Sequence, residues 1–299
     1  MSAPERRSDM LRLVPGGLPA PAEYGAGHAA QWSRSRVRTL VIASGRGGVG
    51  KSQLAANLAV ALGQRGARVV LVDADLVQAN LDLLLGVHPR WDLSHVLAGE
   101  KSLDEVVVTG PENVTLVPGV SNAPAAELDD FRREQLLRSL GTADEGADLM
   151  IVDTGSSGDR DTLELCRAAH ELLVVATPDM ASFSDAYGLV KTLQKEGALS
   201  RAPGLVVNLA TTPEEADDAA HRMTLFARHF LRLEVHVLGT VPYDAAVPRA
   251  ARAQEPVLLA YPRSPAANAY RALAARLWKP VPSGPDSDLL SEQSFRLEA

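Results

Sequence analysis

Short unbroken runs of Val, Leu and Ile alternate along this chain with stretches in which apolar residues recur every three or four positions. The unbroken runs are "VRTLVIA" (37–43), "ARVVLVD" (67–73), "DLMIVD" (148–153), "ELLVVAT" (171–177), "GLVVNLA" (204–210) and "HVLGTVP" (236–242). A strand that is apolar at every position must be covered on both faces, which is the environment of a parallel sheet. The stretches "QLAANLAVALGQRG" (53–66), "LELCRAA" (163–169), "DAYGLVKTLQKEG" (185–197) and "SPAANAYRALAARL" (264–277) have the helical period and supply that cover. The order predicts an α/β fold: a mainly parallel twisted sheet with helices on both faces, in three layers, αβα. No compositional break divides residues 36–278. Residues 1–35, rich in Pro, Gly, Ala and Arg, read as a flexible arm with one short helix near Asp9 to Val14. Residues 279–299, rich in Pro and Ser, read as a disordered tail.

Composition narrows the chemistry. The 299 residues are 46% apolar, ample for a large core. A net charge of −7 argues against a surface that holds nucleic acid nonspecifically, which needs an excess of Lys and Arg to displace counterions. The single cysteine, Cys166, excludes an internal disulfide and any site built from several thiolates. Its apolar-periodic surroundings predict a buried structural thiol. The seven histidines are scattered without metal-like spacing. No run of about 18 apolar residues exists, and the first residues lack an apolar core of signal-peptide length, so a cytoplasmic location is expected.

One segment carries a specific chemical signal. In "SGRGGVGKSQ" (44–53), Gly45, Gly50, Lys51 and Ser52 fit the pattern G-x-x-x-x-G-K-[ST]. The pattern alone arises by chance; its context gives it force, because it follows one predicted strand and opens one predicted helix. Glycines let backbone N–H groups turn inward around phosphate oxygens, and a helix N-terminus adds positive potential. Lys51 would reach the β- and γ-phosphates, and the Ser52 hydroxyl would ligate Mg²⁺. Asp73 and Asp75 lie at the end of the next strand, and Asp153 ends another, where ligands gather in open α/β sheets. Asp153 would hold Mg²⁺ directly or through water. Any one acidic residue at a strand end is more often a turn or helix cap; three beside a phosphate loop argue for a site.

With these segments in view, the chain resembles the MinD/ParA family of deviant Walker ATPases, P-loop NTPases, and within it the FlhG (FleN) branch that regulates flagellar number. The resemblance runs over residues 38–278. It is carried by "SGRGGVGKS", "LVDADLVQANLDLLLG", "LMIVDTG", "TPDMASFSDAYGLVK", "VVNLA" and the segment from "LGTVPYDAAVPRA" to "AARL". It implies one ATPase domain over 36–278, with ATP and Mg²⁺ as cofactors and a homodimer sandwiching two ATP molecules that hydrolysis dissolves. It also implies an ATP-binding set of Gly45, Arg46, Gly47, Gly48, Val49, Gly50, Lys51, Ser52 and Gln53, with Asn208 reading adenine and the loop around Pro242 and Asp244 closing over the base. Lys51, Asp75 and Arg46 would carry catalysis. In the family's K-G-G-x-G-K the first lysine crosses to the partner subunit's phosphates, and Arg46 occupies that position. Asp75 would orient the attacking water, and Ser52, Asp73 and Asp153 would form the metal shell. Taken alone, Asn208 reads equally well as a strand-end turn residue.

Three departures from the family bear on function. Arg46 keeps the charge and can donate two hydrogen bonds to a phosphate; the alternative is a guanidinium in solvent and a weakened dimer. Ser156 and Ser157 stand where flagellar relatives read D-T-G-A-G. They either crowd a backbone approach to the γ-phosphate, offer hydroxyl donors, or form a plain solvent-facing loop. The ending "PSGPDSDLLSEQSFRLEA" is acidic where membrane-cycling relatives carry a basic amphipathic helix, so stable membrane binding is not supported, and a disordered tail or a partner-docking peptide is the better reading. At the other end "SDMLRLV" keeps only an aspartate followed by Leu-Arg from the branch's D-Q-A-type motif, so stimulation of a GTPase is not carried over.

The expected function is a slow Mg-ATP-dependent dimerising switch that gates binding of a protein partner and regulates placement or number of a structure such as flagella. The alternatives are an ATP-binding scaffold with little turnover, favoured by Arg46 and the serine loop, and a partition-type DNA binder. The latter would need a basic patch such as Arg222, Arg228 and Arg232 in "HRMTLFARHFLRL", which otherwise reads as the polar face of a helix.

Overall fold

The computed structural model describes residues 37–120, 128–142, 146–156 and 158–278. The arm (1–35, with the helix expected at Asp9 to Val14), the tail (279–299) and Ser157 lie outside the described residues.

Eight strands form one sheet among the described residues: β1 (Arg38–Ala43), β2 (Val69–Ala74), β3 (Val108–Thr109), β4 (Val114–Val117), β5 (Leu149–Thr154), β6 (Glu171–Ala176), β7 (Gly204–Ala210) and β8 (His236–Pro242). Their order is β3-β4-β2-β5-β1-β6-β7-β8. All pairings are parallel except β3 with β4. The helices are α1 (Lys51–Gly63), α2 (Leu81–Leu85), α3 (Leu93–Leu97), α4 (Leu103–Val106), α5 (Asp130–Thr142), α6 (Arg160–Ala168), α7 (Met180–Lys195), α8 (Pro213–Phe226), α9 (Ala246–Arg252), α10 (Val257–Ala260) and α11 (Pro265–Leu277). A π-helical turn, Ala227–Leu231, extends α8. No described helix is long and apolar enough to cross a membrane.

The sheet separates two apolar layers, as its unbroken strands require. On β1, Leu40 and Ile42 face one layer while Val41 and Ala43 face the other. Cys166 lies in the second layer, buried, and burial pushes its thiol up to about 12, so it is a packing residue. In the first layer α1 is buried almost all round, because α10 and α11 pack over the side it turns away from the sheet. Each of its fully buried leucines contributes about 2 kcal/mol on leaving water. The helix starts are set by short polar caps: Asp159 accepts from Thr162 N–H, Asp179 from Ser182 N–H, Thr212 from Glu215 N–H and Ser264 from Ala267 N–H.

All six strands expected from the apolar runs are present. The chain also has β3 and β4, two and four residues long, at the edge beyond β2. Runs that short, one of them broken by Thr115, fall below what periodicity resolves. The helix expected over 221–233 is α-helical only to Phe226; it then loosens into the π turn and stops at Arg232, which is left-handed.

Parallel register aligns strand ends, and here it brings chemistry together. Asp73 of β2 is level with Asp153 of β5, and Asp153 is level with Ile42 of β1, one residue before the strand's end. Both carboxylates therefore lie at the carboxyl edge of the sheet, where the glycine loop leaves β1 for α1.

Candidate functional site

The loop 44–50 turns back over the end of β1 and delivers Lys51 as the first residue of α1. Gly50 caps the helix in the left-handed region, at φ 84°, and a Cβ there would stand 2.3 Å from Asn208 Nδ2. Gly45 is fixed by a different contact, since a Cβ on it would lie 2.1 Å from the Asp185 carbonyl oxygen of α7. The phosphate loop thus rests directly on the backbone of that helix. Ser44 Oγ donates to the Arg46 carbonyl at 2.8 Å and tightens the turn.

Lys51 is buried and its ammonium lies 3.6 Å from Asp153 Oδ1. The Ser52 hydroxyl adjoins Asp153 and favours its ionised form. Asp153 Oδ1 is itself buried and has no hydrogen-bond partner. Burial raises the Asp153 carboxyl well above the ordinary aspartate range, against the pull of Lys51. A buried carboxylate oxygen left unpaired beside a hydroxyl is what a hard divalent cation would complete, and the oxygen donors of Ser52 and Asp153 fit Mg²⁺, which otherwise keeps water and phosphate oxygens.

The two aspartates after β2 differ. Asp73 is buried, and burial and then the neighbouring Asp153 push its carboxyl up. Its Oδ1 accepts from Asp75 N–H at 3.2 Å, and its Oδ2 from Asn80 N–H and Leu81 N–H, each at 2.9 Å. Those bonds hold the loop between β2 and α2. Asp75 is half-exposed, and its Oδ1 accepts from Val77 N–H at 3.1 Å and Gln78 N–H at 2.9 Å.

Arg46 is exposed and points to α7: Nη1 lies 3.6 Å from Asp179 and Nε 3.9 Å from Asp185. Within one chain it therefore faces acidic side chains rather than solvent alone. Ser156 faces the phosphate loop, with its Oγ 3.5 Å from where a Cβ on Gly47 would stand. Gln53 is turned along α1, where its Oε1 accepts from Asn57 Nδ2 at 3.2 Å.

Across the loop, Asn208 is buried at the end of β7 and donates from Nδ2 to the Val49 carbonyl at 2.7 Å. Pro242 ends β8. Asp244 is committed to backbone, with Oδ1 accepting from Ala246 N–H at 2.8 Å and Oδ2 from Ala266 N–H at 3.1 Å. It ties the loop after β8 to the start of α11, and the exposed aromatic ring of that loop belongs to Tyr243.

Sequence reasoning passed over Tyr243, Ser44, and Thr154, whose buried Oγ1 donates to the Ile42 carbonyl at 3.1 Å. It also gave no role to Asp179 and Asp185. The signal for Asp179 was legible, as T-P-D before a helical run is an N-cap. Two of the three basic residues weighed for DNA are engaged within the chain: Arg222 with Asp218 and the Pro178 carbonyl, and Arg228 with Glu234.

Comparison with known proteins agrees with this geometry. The CobQ/CobB/MinD/ParA nucleotide binding domain matches residues 40–257. The antiactivator FleN of Pseudomonas aeruginosa is 34% identical over 256 residues, covering 85% of this chain and 91% of that protein. The flagellum site-determining protein YlxH of Helicobacter pylori is 31% identical, covering 74% of each chain. Among solved structures, the septum site-determining protein MinD of Pyrococcus horikoshii, complexed with Mg-ADP, has a TM-score of 0.66 at 27% identity, covering 81% of this chain and 96% of that one. The cell division ATPase MinD of Pyrococcus furiosus has a TM-score of 0.64 at 28% identity, covering 80% and 97%. With its phosphate loop, its two strand-end carboxylates and its sheet order all on this pattern, the chain belongs to the CobQ/CobB/MinD/ParA family of nucleotide-binding proteins, and the flagellar regulators of FleN type are among its relatives.

Proposed function

We propose that this chain is a cytoplasmic Mg²⁺-dependent ATPase switch: two copies close around two ATP molecules, the closed dimer engages a protein partner, and hydrolysis releases it. Through that partner it would regulate the number or placement of a structure such as flagella, as the names of the FleN and YlxH relatives suggest. The observation that carries the reading is the unpartnered Asp153 Oδ1 beside the Ser52 hydroxyl and the Lys51 ammonium.

The chain's own groups divide the work. Backbone N–H groups of residues 47–51 and the N-terminus of α1 bind the phosphates. Lys51, 3.6 Å from Asp153 in the free chain, turns to the β- and γ-phosphates. Ser52 and Asp153 would hold Mg²⁺, which when bound would neutralise phosphate charge. Asp75, its Oδ1 fixed by two backbone N–H groups, aligns the attacking water through the remaining oxygen. Arg46 leaves Asp179 and Asp185 for the other subunit's phosphates, adding charge where it accumulates in the transition state.

A scaffold that binds ATP without useful turnover is the second reading, favoured by the position of Arg46 against its own α7. DNA binding has less support, since Arg222 and Arg228 already have acidic partners. Size-exclusion chromatography with ATP and Mg²⁺, read for mass and released phosphate together, separates them. A dimer that forms with ATP and decays with phosphate release supports the switch; binding without either supports the scaffold. Salt-sensitive retention on nonspecific duplex only with ATP would favour DNA binding.

A further inference from the structure

The hydroxyl side chains next to the phosphate loop differ in what they do. Ser44 Oγ donates to the Arg46 carbonyl at 2.8 Å, Thr154 Oγ1 donates to the Ile42 carbonyl at 3.1 Å, and Ser52 adjoins Asp153. Ser156 is different. It is half-buried on the loop that leaves β5, and its hydroxyl makes no hydrogen bond among the described residues. Facing it is Gly47: a Cβ there would meet the Ser156 side chain, with Oγ at 3.5 Å and Cβ at 3.9 Å, both ordinary contacts. Gly48 and Gly50 have φ values of 80° and 84°, which need glycine, but Gly47 lies outside the left-handed region. Neither backbone conformation nor crowding within the chain therefore calls for glycine at 47. What the missing side chain does is keep open the space in front of the Ser156 hydroxyl.

The course of the chain indicates what would fill that space. Ser52 and Asp153 mark the place suited to Mg²⁺, and a metal in such a site bridges the β- and γ-phosphates of a nucleotide. Three residues beyond Asp153 the chain reaches Gly47, in the middle of the loop 44–50, and the bond from Thr154 to the end of β1 fixes the start of that path. The inner phosphates lie along the loop and the N-terminus of α1. A side chain that spans from the metal-bearing carboxylate to the loop's glycine thus meets the outermost phosphate, which ATP has and ADP lacks.

We propose that the Ser156 hydroxyl donates to the terminal phosphate of ATP and so makes the site favour the triphosphate over the diphosphate. The inference rests on the nucleotide reading of the site above and adds a side chain that tells the two nucleotides apart. A hydrogen bond from a hydroxyl to a phosphate oxygen is charge-assisted, and its loss is felt only by a ligand that carries that oxygen.

The test is equilibrium binding of ADP and of the non-hydrolysable imido analogue of ATP to the full chain with Mg²⁺. Protein concentrations are kept where a sizing column shows a monomer, so that assembly adds nothing to the triphosphate's affinity. Ser156→Ala is expected to weaken the analogue at least about fivefold and ADP less than about twofold. Ser156→Thr, which keeps a hydroxyl, should hold the ratio of the two affinities within about twofold of wild type. With ADP as the internal reference, a general loss of folding does not mimic the effect. An unchanged ratio in Ser156→Ala overturns the proposal, as does a ratio in Ser156→Thr that falls as far as in Ser156→Ala. Should Ser156→Ala not fold, Ser156→Gly deletes the same hydroxyl and its ratio decides in the same way. A wild-type chain that binds neither nucleotide overturns the nucleotide reading itself; one that binds both, with a ratio indifferent to the hydroxyl, overturns only the role of Ser156.

Discussion

At the scale of single residues, the charge of Lys51 is the fixed quantity and its partner is exchangeable. The ammonium lies 3.6 Å from Asp153, yet the oxygen it approaches has no hydrogen bond. Burial disfavours an ionised carboxyl there against the pull of Lys51, and a second cation would favour the Asp153 anion further. Asp153→Asn keeps the volume and removes that charge. We expect Mg²⁺ to tighten ATP binding at least about tenfold in the wild type and less than about threefold in the variant, measured by titration with and without EDTA. Arg46 poses the opposite case, an exposed cation 3.6 and 3.9 Å from exposed carboxylates. Such pairs contribute about 0–1 kcal/mol, so Arg46→Ala should shift the unfolding free energy of the monomer by less than about 1 kcal/mol. If its use is across a dimer, the same variant loses ATP-dependent assembly while Arg46→Lys retains it in sedimentation experiments. A large loss of monomer stability would instead assign it a role inside the chain.

At the scale of elements, α1 meets its surroundings by backbone contact as well as by the packing of its apolar side chains. A Cβ on Gly63 would stand 1.6 Å from the Glu112 carbonyl, in the turn between β3 and β4. Gly63→Ala cannot be absorbed by rotating a side chain, and we expect a loss of about 2–4 kcal/mol in denaturant unfolding, far from the phosphate loop. This contact also marks the limit of what was readable. The six long strands and the loop at Gly45 to Ser52 could be read because periodicity and spacing are local properties. The β3–β4 edge could not, because its two strands are held by the neighbour they pair with and by the end of α1. In the site, Lys51, Ser52 and Asp153 fell together as their spacing implied, while Asp244 turned out to hold loop backbone and Asp73 to hold the β2–α2 loop, roles visible only once partners are known. The joint between β1 and β6 gives a pH test. Thr39 N–H donates to His170 Nδ1 at 3.1 Å, which requires a neutral ring, and burial, then the charge of Arg201, lowers the His170 pKa against the pull of Glu171. Because the folded pKa lies below the unfolded value of about 6.5, the unfolded state binds more protons just below that pH. The contribution is complete above about 6.5 and is lost as pH falls toward the folded pKa. His170→Asn, whose amide oxygen can accept the same bond, should flatten the fall in stability as pH drops below about 6.5 in urea titrations at fixed salt.

At the scale of the whole molecule, the phosphate loop touches α7 by backbone at Gly45 and by charge at Arg46, so in the proposed switch a change at the nucleotide would be passed to a helix whose N-terminal turn exposes Met180. A switch needs that change to be reversible by chemistry, and Asp75 is the residue on which reversal turns. Its Oδ1 is held by the N–H groups of Val77 and Gln78. Asp75→Ala removes the carboxylate but leaves Lys51, Ser52, Asp153 and Asn208 in place. ATP should therefore bind within about threefold of wild type, since the lost interaction acts on water in the transition state rather than on the ground-state nucleotide. Phosphate release should fall by at least about a hundredfold. On the proposed reading, assembly of the wild type is opposed continuously by hydrolysis; with hydrolysis removed, the ATP-bound dimer should persist on a sizing column for as long as ATP is supplied. Multi-angle light scattering with a parallel phosphate assay checks both at once. Lost turnover without a lasting dimer would separate catalysis from assembly, and equal dimer lifetimes in both proteins would mean that hydrolysis is not what resets the molecule.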